Sequence, residues 1–421
     1  MNGRFLTVSL ALLSGLSSTS VSATNGYFMH GYGIKAQGQA GVSIAQPQDA
    51  LAAANNPAGT VWIGDRLDIS ATIFSPDRSA KIEGNQAGAD GTYGGNQKRY
   101  FLLPDIGYSK QLNDRWGVGI SAYSNGGMNT DYKRNPYGAF GNTGSAGVDL
   151  AQLFITPSVA YKFTERQSFG IGLNFVYQRF AAKGLNAFAN PMFSSDPDNL
   201  SDRHHDTSTG WGLRLGWQGQ VTDNLTLGAA WSSKIKAQDF DRYAGLFADG
   251  GSFDVPENYA VGLSYKLTPA LTIGADVQEI KYGSVRSVAR DFDIQSVFAG
   301  DRFGSRNGPG FGWQDVTVYK LAVSYVLNPQ LTLRSGFSHA DQPVQKDQTF
   351  LNILAPGIIQ DHLSVGLTWT PSPDNELSLA YTHGFEETVN GRNSIPGAFG
   401  GGEAKLKMSE DILGAAYAWK F

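Results

Sequence analysis

From residue 65 onward the chain alternates. In "DRLDISATIF" Leu67, Ile69, Ala71 and Ile73 share one face. In "GWGLRLGW" Trp211, Leu213, Leu215 and Trp217 stand opposite Gly212, Arg214 and Gly216. "NYAVGLSYKL" sets Tyr259, Val261, Leu263, Tyr265 and Leu267 against Ala260, Gly262, Ser264 and Lys266, and "HLSVGLTW" repeats the pattern. Period-two alternation predicts strands with one apolar face. Fourteen such segments follow one another: 66–80, 98–111, 115–125, 148–163, 168–183, 207–220, 225–237, 254–267, 271–282, 314–327, 331–341, 361–370, 376–386 and 405–421.

The connections alternate as well. Short ones ("LNDR", "FTERQ", "VTDN", "LTPA", "LNPQ", "PSPDNE") separate long ones at 84–97, 126–147, 184–206, 238–253, 283–313, 342–360 and 387–404. Short turns on one side and long loops on the other predict a 14-stranded antiparallel up-and-down outer-membrane β-barrel. An even strand count puts both chain ends on the short-turn side. Aromatics near segment ends, among them Trp116, Tyr161, Phe163, Trp231, Tyr265, Tyr325, Trp369 and Trp419, suit the girdles of such a barrel. No repeat of propeller or solenoid length is present.

The start of the chain sets the compartment. Arg4 precedes an apolar stretch from Phe5 to Leu16 and the small-residue end Val21-Ser22-Ala23. This reads as a secretory signal peptide over 1–23, leaving a plug over 24–62 and a barrel over 63–421. The net charge of -4 argues against nucleic acid as a partner. The absence of cysteine excludes disulfides and thiolate metal sites. No cofactor and no metal are expected. The six histidines have no spacing with Ser and Asp that suggests a lipase, and His204-His205-Asp206 reads as a solvated loop. A general porin would not need a plug.

Fourteen strands enclose a lumen too wide for their own side chains to fill. The segment "GIKAQGQAGVSIA" predicts a short, poor helix, and "PQDALAAAN" a better one with Pro47 in its first turn and Asp49 near its positive end. Asn55 or Asn56 is expected to end it in the left-handed conformation, Pro57 to stop it, and Ala58-Gly59 to turn toward the first strand. The segment therefore folds back as a stopper.

With "TNGYFMHGYGIKAQGQAG", then "DALAAANNPAG", then fourteen candidate strands, the chain resembles the long-chain fatty acid and aromatic hydrocarbon transporters of the Gram-negative outer membrane (FadL/TodX type). Asn56-Pro57-Ala58-Gly59 resembles that family's hatch signature, and "SNGGMNTDY" at 124–132 is also similar. The resemblance implies capture of a hydrophobic molecule between outer loops, transfer to a pocket in the barrel and release by hatch movement. Exit sideways is implied at a kinked third strand, where Asn125, Gly126 and Gly127 are the candidates. Asn25, Tyr27 and Phe28 are implied to meet the ligand. Uptake is expected to be passive, long-chain fatty acids being the leading substrate and monoaromatics or alkanes the alternative.

Apolar loop residues Phe188, Met192, Phe193, Phe240, Leu246 and Phe247 predict a greasy groove. For a carboxylate, Arg214, Lys320 and Arg334 lie opposite the apolar faces, and Arg179 sits near the outer end of the fifth strand. Each of them also has the bland reading of pairing with a lumenal carboxylate such as Asp276. Outer-membrane lipid and lipopolysaccharide are expected neighbours. The last strand, ending at Phe421, is expected to be read by the barrel assembly machinery, and the protein to be a monomer.

Overall fold

The computed structural model describes residues 25–421, so the signal-peptide reading of 1–23 and residue 24 lie outside it. Among the described residues fourteen antiparallel strands close on themselves. They are β1 Arg66–Glu83, β2 Phe101–Gln111, β3 Trp116–Asn129, β4 Gly147–Thr164, β5 Gln167–Lys183, β6 Asp206–Gln220 and β7 Leu225–Ser232. The circuit continues through β8 Asn258–Lys266, β9 Leu271–Ile280, β10 Val316–Asn328, β11 Leu331–Ala340, β12 Asp361–Ser372, β13 Asn375–Asn390 and β14 Glu403–Lys420. Neighbours in sequence pair in order, and β14 pairs with β1 from Arg66↔Lys420 to Glu83↔Glu403. A short strand, Gly91–Gly94, adds to the outer end of β1 inside a segment expected to be loop. The seventh strand is shorter than predicted. Ser233 N still donates to Leu213 O, its partner in register, but Leu213 N bonds the Ser233 hydroxyl rather than its carbonyl, and Ile235 is buried.

Burial is inverted relative to a water-soluble sheet. Outward positions are apolar and exposed, as with Ile73, Leu173, Val261 and Leu413. Inward positions are polar and buried, as with Ser70, Thr72, Asn174 and Thr382. Such groups are tolerated inside where they find partners. Gln152 donates to Gln178 at 2.6 Å, Thr156 to Asn174 at 2.8 Å, and Ser364 and Thr382 share a bond of 2.8 Å. The outward aromatics follow the strand ends, consistent with lipid interfaces.

The lumen holds residues 25–62. This segment contains two single-turn helices, α1 Ile34–Gln37 and α2 Ala52–Asn55, followed by the 3-10 turn Pro57–Trp62. The second helix is shorter than predicted. Pro47 and Asp49 precede it, and the Asp49 carboxylate accepts from Leu51 N at 3.0 Å. Neither Asn55 nor Asn56 is left-handed. Asn56 is extended (φ -142, ψ 108) and caps the 3-10 turn by accepting from Ala58 N at 3.1 Å, with Pro57 at the first position of that turn. The stop is thus made by an extended cap and a proline rather than by a left-handed residue. The positive-φ glycine that turns the chain toward β1 is Gly64, not Gly59. Gly59 matters for closeness, since a Cβ there would lie 2.7 Å from Pro47 Cβ.

Closeness also explains many wall glycines. A Cβ on Gly170 would lie 2.2 Å from the Pro57 carbonyl carbon, and one on Gly216 2.0 Å from Asn56 Oδ1. Gly107, Gly228, Gly336 and Gly366 face the plug backbone at Ala50, Ile44, Gln39 and Gly38 in the same way. The wall is bare where the plug touches it, so backbone seats on backbone around the circuit.

Polar anchors complete the seal. Asn56 Nδ2 donates to Ile44 O at 2.8 Å and to Trp217 O at 3.0 Å. Asp276 accepts from Ser43 N at 2.7 Å and Ile44 N at 3.1 Å, and Asp68 from Ala50 N at 2.9 Å. At the periplasmic end Glu376 joins Lys35 (2.5 Å), Arg66 (2.9 Å) and Lys420 (2.8 Å).

Two outcomes follow. Gly170→Leu leaves no room for Pro57, so the plug should shift and steady ion current should appear in planar bilayers while the barrel stays folded; an unchanged seal would contradict the packing. Asn56→Ala strands two buried carbonyls, at a cost of about 1–3 kcal/mol each. Amide hydrogen exchange over 44–60 should then rise while that of the strands does not.

Candidate functional site

The outer loops enclose a small apolar cavity. Its open volume is about 40 Å³. Phe188, Leu246 and Phe247 line it together with Val148, Phe180 and Phe311. Phe240 backs this wall, its ring 5.7 Å from Phe180 and 6.1 Å from Phe247. Phe193 packs beside Phe188 at 5.5 Å and Phe399 at 5.8 Å. Met192 does not join them. It is 59% exposed, because the turn at Asn190 points it into solvent. Phe303, Leu351 and Leu354 also line the cavity and were not expected. The run "FLNILAP" at 350–356 was their signal, an apolar stretch in a loop otherwise polar.

Aromatic rings continue from this cavity to the front of the plug. Phe247 lies 5.0 Å from Phe253, and Phe253 5.9 Å from Tyr27. On the other side Phe311 lies 6.3 Å from Trp313, and Trp313 5.9 Å from Tyr27. Tyr282 closes the cage at 5.0 Å from Tyr27 and edge-on to Phe28 at 6.0 Å. Its hydroxyl accepts from Tyr27 N at 3.1 Å and donates to Asn25 O. Burial holds the Tyr282 hydroxyl well above its ordinary range. Asn25, Tyr27 and Phe28 are all buried here. Phe253, Tyr282 and Trp313 were missed by the sequence reading, since each sits at a boundary between a predicted strand and a long loop, where parity gives no guide.

The plug front also meets the wall. β2 pairs with β3 only from Ile106↔Ala122 to Gln111↔Gly117. Above that point β2 stays on β1 up to Phe101 but has left β3. β3 then bulges at Asn125, between Ser124 and Gly126, and its residues from Tyr123 to Asn129 are all buried rather than alternating. It bends into the lumen. Gly126 (φ 148) adopts a backbone that side-chain-bearing residues avoid. β4 holds one edge of β3, and Tyr27–Met29 take the edge that β2 has left. Gly127 N donates to Tyr27 O at 3.0 Å, and Met29 N to Asn125 O at 2.8 Å. The Asn125 side chain is held from both sides, donating to Gln152 at 3.0 Å and accepting from the Tyr32 hydroxyl.

The expected carboxylate cations lie elsewhere. Arg214, Lys320 and Arg334 do face the lumen, but each is tied to the plug. Arg214 donates to Ala54 O at 2.5 Å and Asn55 O at 3.3 Å. Lys320 donates to His30 O and to Gln278, both at 3.0 Å. Arg334 donates to Gln48 at 3.0 Å and Thr368 at 2.8 Å. Single-turn helices leave carbonyls unpaired, and Arg214 satisfies two of them; Lys320 serves the His30 carbonyl ahead of α1, and Arg334 the Gln48 side chain. Arg179 does not face the lumen. It follows Tyr177 on the outward face and lies 3.8 Å from Asp149, which His205 also meets at 3.0 Å. Within the plug, burial pushes the His30 imidazole below its ordinary range, and the charges of His362 and Lys320 add to this. His30 stacks on His362 at 5.5 Å.

Comparisons with known proteins agree with this architecture. The family described as outer membrane protein transport protein (OMPP1/FadL/TodX) matches residues 15–421. A long-chain fatty acid transport protein of Salmonella typhi is 24% identical over 91% of this chain and 92% of its own. The Pseudomonas putida toluene transporter TodX has a similar structure (TM-score 0.69, 19% identity, 94% of this chain and 100% of that one). A Pseudomonas aeruginosa FadL homologue is also similar (TM-score 0.69, 16% identity, 96% and 100%). A plugged 14-stranded barrel and a family match over nearly the whole length lead to one conclusion: the chain belongs to the FadL/TodX family of Gram-negative outer-membrane transporters, non-enzymatic proteins for uptake of hydrophobic compounds.

Proposed function

We propose that the chain takes up long-chain fatty acids passively, from the loop cavity past the Tyr27 cage and out sideways between β2 and β3. One observation carries this reading: β3 has left β2, and its freed edge is held by the plug front itself. A ligand reaching Tyr27 is then already at the break in the wall. The anchors described above oppose a downward exit, since every turn of the plug is bonded to the strands around it. The break opens toward lipid, where a hydrocarbon chain is as stable as in the cavity. Transfer from water into either place is favourable by about 0.8 kcal/mol per CH₂.

In this reading Asn25, Tyr27 and Phe28 guard the inner end of the apolar route. Phe188, Phe193, Phe240, Leu246 and Phe247 form its outer part, and Asn125-Gly126-Gly127 form its exit. Asn55 to Gly59 hold the plug in place. The fatty acid assignment draws on relatives that bear that name and align over nine-tenths of both chains. Monoaromatic hydrocarbons are the second reading, favoured by a cavity lining without a charged side chain.

Gly126→Val tests the exit, because a β-branched residue opposes the Gly126 conformation and the bulge. Oleate uptake by cells making the variant should fall at least about tenfold, while binding to the purified protein changes little. Unimpaired uptake would remove the lateral route. Titration of oleate against toluene on wild type and Tyr27→Ala separates the two substrates. Saturable oleate binding weakened by the substitution supports fatty acids; toluene binding alone moves the assignment to aromatics.

A further inference from the structure

A row of buried amides crosses the lumenal face of β3, β4 and β5. It starts at the plug, where the Tyr32 hydroxyl donates to Asn125 Oδ1. Asn125 Nδ2 donates to Gln152 Oε1 at 3.0 Å, Gln152 Nε2 to Gln178 Oε1 at 2.6 Å, and Gln178 Nε2 to the Phe253 carbonyl at 2.9 Å. Asn125, Gln152, Gln178 and Phe253 are each no more than 1% exposed. The row therefore runs from the plug, across the wall, to the loop between β7 and β8.

Register explains its path. Gln152 stands opposite Gly126 on β3 and opposite Gln178 on β5. Asn125 is the extra residue of the bulge and has no partner of its own across the β3–β4 ladder, so its side chain makes that link instead. The sense of every bond is set from the far end. A backbone carbonyl only accepts, so Gln178 must turn its amino group to Phe253 and its oxygen to Gln152. Gln152 must then offer its oxygen to Asn125, which leaves the Asn125 oxygen for Tyr32.

The two ends serve different parts of the molecule. Asn125 lies at the break in the wall: Met29 N donates to its carbonyl at 2.8 Å, and Gly127 N donates to Tyr27 O at 3.0 Å. Phe253 lies on the aromatic route, its ring 5.0 Å from Phe247 and 5.9 Å from Tyr27. The Ser287 hydroxyl stiffens the turn before it by accepting from Ala248 N at 3.0 Å and donating to Ser252 O at 2.5 Å. A buried amide left without a partner costs more than its bond contributed, so breaking one link destabilises its neighbours.

We propose that Gln152 and Gln178 are positioning residues for the exit, tying the bulge at Asn125 to the place of Phe253 so that displacement of the loop by a passing molecule loosens the plug front from β3. Both act through Asn125. The inference rests on the uptake reading above and adds which wall residues make the exit answer to the outer loop. Hydrogen-bond networks with two arrangements carry coupling of this kind.

The test uses the purified full-length barrel as wild type, Gln178→Met, Gln152→Met and the double variant, with hydrogen exchange at Met29 and Gly127 read with and without oleate. Without ligand, Gln178→Met should raise that exchange about tenfold, although residue 178 is two strands away from β3. The double variant should be no worse than Gln152→Met alone, since links of one row are not additive. Oleate should raise exchange at both amides in wild type and leave it unchanged in Gln178→Met. Strand exchange away from the row should match wild type, which shows that the variants are folded. Gln178→Asn keeps an amide in the wall, falls short of Phe253 and should behave as Gln178→Met does. Unchanged exchange at Met29 and Gly127 in both variants of Gln178, or effects at 152 and 178 that simply multiply, overturns the row and leaves the uptake reading standing. If wild type does not bind oleate, the uptake reading fails, while exchange without ligand still decides whether the row holds the bulge.

Discussion

A wall of fourteen strands in lipid must turn its apolar side chains outward and is left with a polar lumen too wide for those strands to fill. Everything distinctive here answers that constraint. The filling is a segment with almost no regular structure of its own, two single helical turns and a 3-10 turn. Such a segment carries many unpaired backbone groups. The wall supplies their partners with Asp68, Asp276, Arg214 and Lys320, and it makes room with glycines. The plug is therefore not a domain docked in a pipe. Its conformation is specified by the strands, and the strands' lumenal side chains are specified by it.

The same principle accounts for the break in the wall. An unpaired strand edge is a liability in any sheet and more so within a membrane. β3 leaves β2 without exposing its edge because Tyr27–Met29 occupy it. The front of the plug thus has two roles in one place. It completes the sheet where β2 departs, and it closes the inner end of the aromatic route with Tyr27. Movement of these few residues would open the route and the wall together. That coupling needs no distant signal, because the two contacts belong to adjacent residues.

Much of this was legible in the sequence. Strand positions follow from alternation, which lipid imposes locally and residue by residue, so the ends fell within a few residues in nearly every case. Parity placed Arg214, Lys320 and Arg334 in the lumen correctly. It also held the answer for Arg179, which shares a face with Phe175 and Tyr177 and so must point outward. What parity cannot give is a partner. Arg214 and Lys320 bond to carbonyls of Ala54, Asn55 and His30, groups that every residue carries and no sequence pattern marks. The stop at Asn56 was legible as a stop but not in its conformation, since an extended cap and a left-handed one use the same residue. The cage of Phe253, Tyr282 and Trp313 was not legible, because these residues lie where strands pass into long loops, the period ends there, and the fold brings them together from far apart.

The central claim is the direction of exit, and photolabelling tests it most directly. A fatty acid bearing a photoreactive group near its chain end would be bound to the intact protein in lipid and activated, and the labelled residues mapped by mass spectrometry. A lateral route predicts label on the facing edges of the break, Leu102 to Pro104 of β2 and Gly126 to Met128 of β3. Label on the periplasmic underside of the plug, at Gln46 to Gln48 and Trp62, with none at the break, would contradict it.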